Sequence, residues 1–500
     1  MASGLLGLAA AAQAQALPGE VEAALKRAKL PASALSVVVQ EVGNGPPVLA
    51  WNEQPPVNPA SVFKLVTTFA ALDQLGPAWS WSTPVYLTGP LRDGVLDGSV
   101  VIQGRGDPKL VVERVWLLLR RLQQQAGVRE IRGDIVLDHS AFALPERSPG
   151  DFDGEPYKPQ NVQPDALLLN FKSVNYSFVP EPALGFARVA MEPVLAGLQV
   201  DATVPLSTGP CDDWRLALKP QLTDPLRVHF AGSYPLACGE RSWPLAAADA
   251  QGYGARLVDQ LWRELGGRLG GSVRDGPLPP GARLAFDQAS PPLAEVIRDI
   301  NKYSNNVMAE QLFLSLPAAS TSMQPAAVAP PAPAASGAAA ALPALPTTRP
   351  EDARDHLRRW LASRFGEAAA QQAVVDNGSG LSREARISPA LLARLLQAAW
   401  ASPVMPELVS SLPVSGTDGT LKRLNATIGR AHLKTGSLRD VAALAGYVLS
   451  DKGRRYVLVA IVNHPNAVAA RPALDALVQW VIRDTPALPA PSAAPGCCAR

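Results

Sequence analysis

Between about residue 85 and residue 284 the chain reads as short alternating apolar runs separated by Gly, Pro and Asp turns, while on both sides it reads as helices and longer apolar strands. That change of pattern constrains the fold most, because it makes the middle block an insertion of one or two nested β-rich domains into a core built from both chain ends. Before the block, Val21–Ala28 has helical spacing and Leu35–Val42 is a valine-rich strand. Asn58-Pro59-Ala60 then opens a helix with Val62, Leu65, Phe69 and Leu72 on one face, stopped by Gly76-Pro77. Within the block, Val100–Gln103, Ile135–Leu137, Val189–Met191 and Leu226–Phe230 read as strands, and Leu110–Gln124 and Ala255–Leu265 as helices. After it, helical spacing returns at Leu293–Ile300, Val307–Leu316 and Asp352–Arg364. Ala442–Leu449 and Tyr456–Val462 alternate around Asp451-Lys452-Gly453 as a hairpin, and Ala473–Ile482 closes as a helix. The expected architecture is multi-domain α/β: an antiparallel sheet with flanking helices, over residues 17–84 and 285–482, interrupted by residues 85–284. Pro317–Pro350 is Ala/Pro-rich and reads as a flexible excursion, and residues 483–500 as a disordered tail.

Bulk composition narrows the partners. The chain has 500 residues, 47% apolar and 18% charged, with a formal charge of +2. So even a balance gives no electrostatic reason to expect nucleic acid or an anionic membrane, and no apolar run approaches the ~20 residues of a transmembrane segment. Leu5 to Ala12 is a short apolar stretch followed by Ala14-Gln15-Ala16, which reads as a signal peptide over residues 1–16 and hence as export to the periplasm; a basic start is missing, the first Lys or Arg being Lys26. In that compartment Cys211 and Cys238, inside one β-rich segment, are placed to form a disulfide. Cys497 and Cys498 lie in the tail. The five histidines are scattered without ligand spacing, so neither a metal nor another cofactor is expected.

Three short motifs carry chemistry. Ser61-Val62-Phe63-Lys64 puts a hydroxyl and an amine at i and i+3 on one helix face, in the first turn, where the helix dipole favours a developing oxyanion. A serine hydroxyl needs a base to become a nucleophile, and a lysine of depressed pKa can serve. Ser304-Asn305-Asn306 is an S-x-N at a break between helical segments: Ser304 is placed to pass a proton and the Asn306 amide to hold a substrate carbonyl. A second S-x-N, Ser173-Val174-Asn175, lies in a strand-like run and reads as structural. Lys434-Thr435-Gly436-Ser437 precedes an alternating strand, so its backbone suits a peptide added at a sheet edge, with Gly436 leaving room and Lys434, Thr435 and Ser437 facing a terminal carboxylate.

Helix-borne S-x-x-K, S-x-N at a helix junction and strand-borne K-T-G, in that order, form the constellation of penicillin-recognising enzymes. With Pro59-Ala60-Ser61 to Thr67-Thr68, Gly104-Arg105-Gly106-Asp107-Pro108, Gly133-Asp134, Asn377-Gly378-Ser379-Gly380-Leu381-Ser382-Arg383, Gly416-Thr417-Asp418-Gly419-Thr420 and the run from His432 to Tyr447, the sequence resembles the D-Ala-D-Ala carboxypeptidase/endopeptidase family typified by penicillin-binding protein 4. The resemblance spans roughly residues 20 to 482 and implies a β-lactamase/transpeptidase-like core. It also implies roles: Ser61 as acylated nucleophile, Lys64 as base, Ser304 as proton relay, Asn306 orienting the substrate amide, Lys434 and Thr435 anchoring its carboxylate. The N–H groups of Ser61 and Ser437 would form the oxyanion hole. Its implied partners are peptidoglycan stem peptides and cross-links, and β-lactams.

Two rivals stay open: a β-lactamase or esterase using Tyr303-Ser304-Asn305 as Tyr-x-Asn, and a non-catalytic peptidoglycan-binding protein on the same scaffold. Asp151, Asp153 and Glu155, before Tyr157-Lys158-Pro159, are either partners for a substrate ammonium or a solvated acidic loop.

Overall fold

The computed structural model describes residues 16–43, 45–322, 346–424 and 427–484. The expected signal peptide up to residue 15, most of the Ala/Pro-rich excursion, Cys497 and Cys498, and the tail from residue 485 lie outside them. The chain divides into two units: Met1–Phe69, Arg298–Ser304 and Arg358–Arg500 form one, Ala70–Ile297 and Asn305–Leu357 the other. The second unit thus reaches beyond the 85–284 block to take in residues 70–84, 285–297 and 305–357. Among the described residues no helix is long and apolar enough to cross a membrane.

The first unit is built on five antiparallel strands: β1 (Leu35–Glu41), β2 (Leu49–Trp51), β3 (Ala431–Leu438), β4 (Val441–Leu449) and β5 (Arg455–Asn463), in spatial order β2-β1-β5-β4-β3. The two chain ends therefore meet in one sheet, Val38 facing Val459, and β3 is an edge. Alternation was the expectation for β4 and β5, but eight consecutive residues of β4 are buried, as are seven of β5. The reason is that both faces of the sheet are covered, which calls for continuous apolar runs. On one face, Val21, Ala24 and Leu25 of the helix Gly19–Arg27 and Leu474, Leu477 and Val478 of Arg471–Arg483 pack against Val37, Leu433, Leu444 and Leu458. Each leucine so buried contributes about 1.5–3 kcal/mol. On the other face, Tyr447 of β4 donates its hydroxyl to the Leu396 carbonyl of the helix Pro389–Trp400, 2.8 Å away.

The helix expected from Asn58-Pro59-Ala60 is two pieces: a 3-10 turn Ala60–Phe63 and then an α-helix Lys64–Leu75. Ser61 is therefore in the tighter turn, not in the first turn of the α-helix as expected. A second correction concerns Pro317. The helix Asn306–Ser322 runs through it, well past the expected stop at Leu316, and the next helix begins at Pro350, where a missing N–H costs nothing.

In the second unit the middle block is β-rich and carries the two helices read from sequence. Val100–Gln103, Ile135–Asp138 and Val273–Asp275 pair in parallel, and the helices Val112–Gln124 and Tyr253–Glu264 lie on the crossovers between them. Ser82–Leu87 and Arg283–Ala289 complete that sheet antiparallel. A second sheet carries Ser173–Glu181, with Ser173 opposite Ala246 and Asn175 opposite Glu192 and Pro244, so the Ser173-Val174-Asn175 motif is sheet structure, as read from sequence. Cys211 and Cys238 are joined by a disulfide.

Candidate active site

Two amides, the buried Asn58 and the half-buried Asn463, shape the turn that carries Ser61. Asn58 accepts the Ala60 N–H through Oδ1 at 2.9 Å and donates to the Ser382 carbonyl at 3.0 Å, while Asn463 at the end of β5 accepts the Asn58 N–H and donates to its carbonyl. Held this way, Ala60 adopts a left-handed conformation with φ 47°, which for a residue with a Cβ costs about 1–3 kcal/mol. Two glycines permit it. A Cβ at Gly380 would lie 2.0 Å from the Ala60 carbonyl oxygen, and one at Gly436 would lie 2.5 Å from that of Pro59.

In a 3-10 turn, side chains at i and i+3 eclipse. Lys64 Nζ accordingly lies 3.0 Å from Ser61 Oγ, and it also donates to the Ser379 carbonyl at 2.6 Å. Lys64 is wholly buried while Ser61 keeps partial exposure. Across the turn lies β3. Because the Leu433 N–H points outward to the Pro413 carbonyl, the strand period of two turns the N–H groups of Thr435 and Ser437 outward as well. Lys434 points to the opposite face, where its wholly buried Nζ donates to Ser304 Oγ at 2.8 Å and to the Thr435 carbonyl at 2.7 Å. Burial, with the nearby Lys64 as second cause, holds the Lys434 amine well below the ordinary lysine range. Ser304 follows the helix Leu293–Lys302 in a left-handed conformation, φ 57°. The outcome is two hydroxyl–amine pairs, Ser61 with Lys64 and Ser304 with Lys434 of β3, whose amines are near enough to sense each other's charge. The site can deprotonate a hydroxyl, move a proton and present two N–H groups along an open strand edge.

The first unit brings together Ser61, Lys64, Ser304, Lys434, Thr435, Gly436 and Ser437. Asn306 belongs to the second unit, where it starts the helix Asn306–Ser322 and donates its amide to the Gln160 carbonyl at 3.1 Å. In that unit the acidic loop organises itself: Asp153 accepts from Asn161 Nδ2 and the Glu155 N–H, Asp151 from the Ser148 N–H, and Glu155 pairs with Lys158 at 3.4 Å. Sequence reasoning missed the Ser379 carbonyl, a backbone atom with no side-chain signal, although Asn377-Gly378-Ser379-Gly380 was already conspicuous. It also missed Asn58 and Asn463, 405 residues apart. Among the described residues no cluster of His, Cys, Asp or Glu could hold a metal.

Comparison with known proteins adds three findings. The description of the D-Ala-D-Ala carboxypeptidase 3 (S13) family matches residues 17–330 and 344–483. Two curated D-alanyl-D-alanine carboxypeptidases are similar. The one from Actinomadura sp. is 26% identical over 502 residues, covering 93% of this chain and 84% of the relative; the one from Haemophilus influenzae is 24% identical over 413, covering 81% and 80%. The crystal structure of penicillin binding protein 4 from Haemophilus influenzae superposes with a TM-score of 0.69 at 21% identity, covering 92% of this chain and all of that one; a complex of that protein with a β-lactam has also been solved. At that identity the likeness speaks for the fold, which is the penicillin-binding-protein fold.

Proposed function

Because the chain belongs to the D-Ala-D-Ala carboxypeptidase 3 (S13) family, we propose that it is a serine carboxypeptidase and D,D-endopeptidase of peptidoglycan, exported to the periplasm and acylated on Ser61. Lys64, wholly buried with its Nζ 3.0 Å from Ser61 Oγ, is the observation that carries the reading. At that distance Lys64 is placed to accept the Ser61 proton as Oγ attacks the carbonyl of the penultimate D-Ala. The outward N–H group of Ser437, with that of Ser61 as its partner, stabilises the oxyanion, a contribution of about 3 kcal/mol per donor in such enzymes. Ser304, accepting from Lys434 at 2.8 Å, returns a proton to the leaving amine. Lys434 and Thr435 hold the terminal carboxylate while the substrate strand lies along the edge of β3 beyond Leu433. Water then hydrolyses the ester on Ser61, releasing the shortened peptide as a carboxylate and restoring the serine hydroxyl. With terminal D-Ala as leaving group this is carboxypeptidase chemistry; with the side-chain amine of a cross-linked diaminopimelate it is endopeptidase chemistry.

Intact-mass measurement after exposure to penicillin is the test. The wild-type chain gains one acyl adduct that persists for minutes or longer, and Ser61→Ala gains none while retaining its thermal midpoint. Undiminished labelling of Ser61→Ala overturns the mechanism. An adduct hydrolysed within seconds returns the β-lactamase reading, and a wild-type chain that never labels returns the non-catalytic one.

A further inference from the structure

Ser304 sits in a left-handed conformation, unfavourable for a residue with a Cβ, and the two residues before its turn, Asn301 and Lys302, are each held by side-chain hydrogen bonds. Asn301 donates its amide to Ser411 Oγ at 2.8 Å and to Thr68 Oγ1, on the helix that follows Ser61, at 3.3 Å. Lys302, its side chain only 6% exposed, donates to Asp418 Oδ2 at 2.6 Å. The other oxygen of Asp418 accepts the Val414 N–H at 2.8 Å. Although burial alone would raise it, the hydrogen bonds from Lys302 and Val414 hold the Asp418 carboxyl below its ordinary range.

The segment holding Asp418 is itself fastened to β3 at two points. Before it, Pro413 and Ser415 bond to Leu433 and Ala431, and Val414 bridges to His432. After it, Thr420 Oγ1 lies 2.8 Å from Thr435 Oγ1. Between these points Gly419, with φ 56°, passes so close to the end of the Leu293–Lys302 helix that a Cβ there would be 2.5 Å from the Lys302 carbonyl oxygen. Residues 413–420 thus form a bracket from the Lys-Thr-Gly strand to the helix end, with the Lys302–Asp418 pair as its cross-piece.

We infer that Lys302 and Asp418 are positioning residues, which hold the Ser304 hydroxyl against Lys434 Nζ during acylation; the inference rests on the relay role proposed above for Ser304. A bare stabilising ion pair would not need to join these two segments, and with the Asp418 side chain 36% exposed the pair by itself contributes little to stability. Neither residue touches the reacting atoms. Both act through the geometry of the Lys434–Ser304 contact, where a displacement of about 1 Å costs on the order of 100-fold in rate.

The test compares penicillin acylation rates and thermal midpoints of four full-length proteins: wild type, Asp418→Asn, Ser304→Ala and the double variant. Asp418→Asn is expected to slow acylation about 10–50-fold, yet by less than about twofold when Ser304 is already alanine, since effects that run through one shared group do not add. Lys302→Arg, which keeps the cation, should stay within about threefold of wild type. Equal losses with and without Ser304, or a native rate in Asp418→Asn, overturn the inference. A Ser304→Ala protein that acylates at the wild-type rate overturns the relay itself, and the positioning role with it. Should Asp418→Asn fail to fold, Lys302→Gln carries the same comparison.

Discussion

Asp107 stands in the Gly104-Arg105-Gly106-Asp107-Pro108 stretch and is 1% exposed. Its Oδ1 accepts the Lys109 N–H at 2.8 Å, while Oδ2 is buried with no hydrogen-bond partner. Burial pushes the carboxyl up to about 6, the Lys109 N–H offsetting part of the rise. The native state therefore still holds a proton that the unfolded chain, near 3.8, has released. Between these values stability falls as pH rises, and above about 6 the full penalty persists. Asp107→Asn should raise unfolding stability by about 2–3 kcal/mol at pH 7.5 and leave it nearly unchanged at pH 3.5. Urea unfolding at the two pH values checks this, and an equal gain at both would show that the charge is not the cause. Nothing in the sequence marks Asp107 as buried; a carboxylate beside a proline in a glycine-rich stretch reads equally well as a surface turn. The contact of Lys64 with Ser61 was legible because their motif sets the two side chains at fixed spacing, whereas that of Lys434 with Ser304 joins two motifs 130 residues apart. Lys302 and Asp418 were not legible, because 116 residues separate an ordinary helix-end lysine from an ordinary turn aspartate.

Among the elements, most helices were readable from apolar periodicity, and the β4–β5 hairpin from two apolar runs around a Gly-containing turn, although these runs are continuous rather than alternating. The 3-10 turn Ala60–Phe63 was not, since its i, i+3 spacing also fits an α-helix; what selects it is the set of hydrogen bonds to Asn58 and the close approach of β3. Gly436 tests that approach. Its added Cβ would fall 2.5 Å from the Pro59 carbonyl oxygen and 3.2 Å from the Val62 nitrogen, and β3, being an edge strand, can yield outward. Gly436→Ala should therefore keep the far-ultraviolet circular dichroism of wild type while penicillin acylation falls on the order of 100-fold, as for other displacements of about 1 Å near reacting groups. A variant acylating at the native rate would show that the strand need not lie so near the serine turn.

At the scale of the whole molecule, the described edges of the Ala/Pro-rich segment are more regular than composition implied. The helix reaches Ser322, and Thr348 exchanges backbone hydrogen bonds with Ala141 and Ala143. What remains, residues 323–345, is rich in Ala and Pro and without aromatics, so it has little apolar surface to bury. Replacing those residues with an equal number of Gly and Ser should move the thermal midpoint by less than about 2 °C. A larger fall, measured by calorimetry, would mean that the segment packs on the body.

Local pattern determined the fold class, the interruption of the core and the residues of the three motifs, because apolar period and i, i+3 spacing act over a few residues and need no tertiary context. The Cys211–Cys238 disulfide was legible from compartment and segment alone. Only the tertiary structure decided which backbone carbonyl Lys64 meets, why Ala60 can be left-handed, and how Ser304 is held. Each of these depends on atoms hundreds of residues apart, brought together because strands from both chain ends share one sheet: β1 from the N-terminal part pairs with β5 from the C-terminal part. Pairing of that kind is set by burial of both sheet faces at once, and no single stretch of sequence carries it.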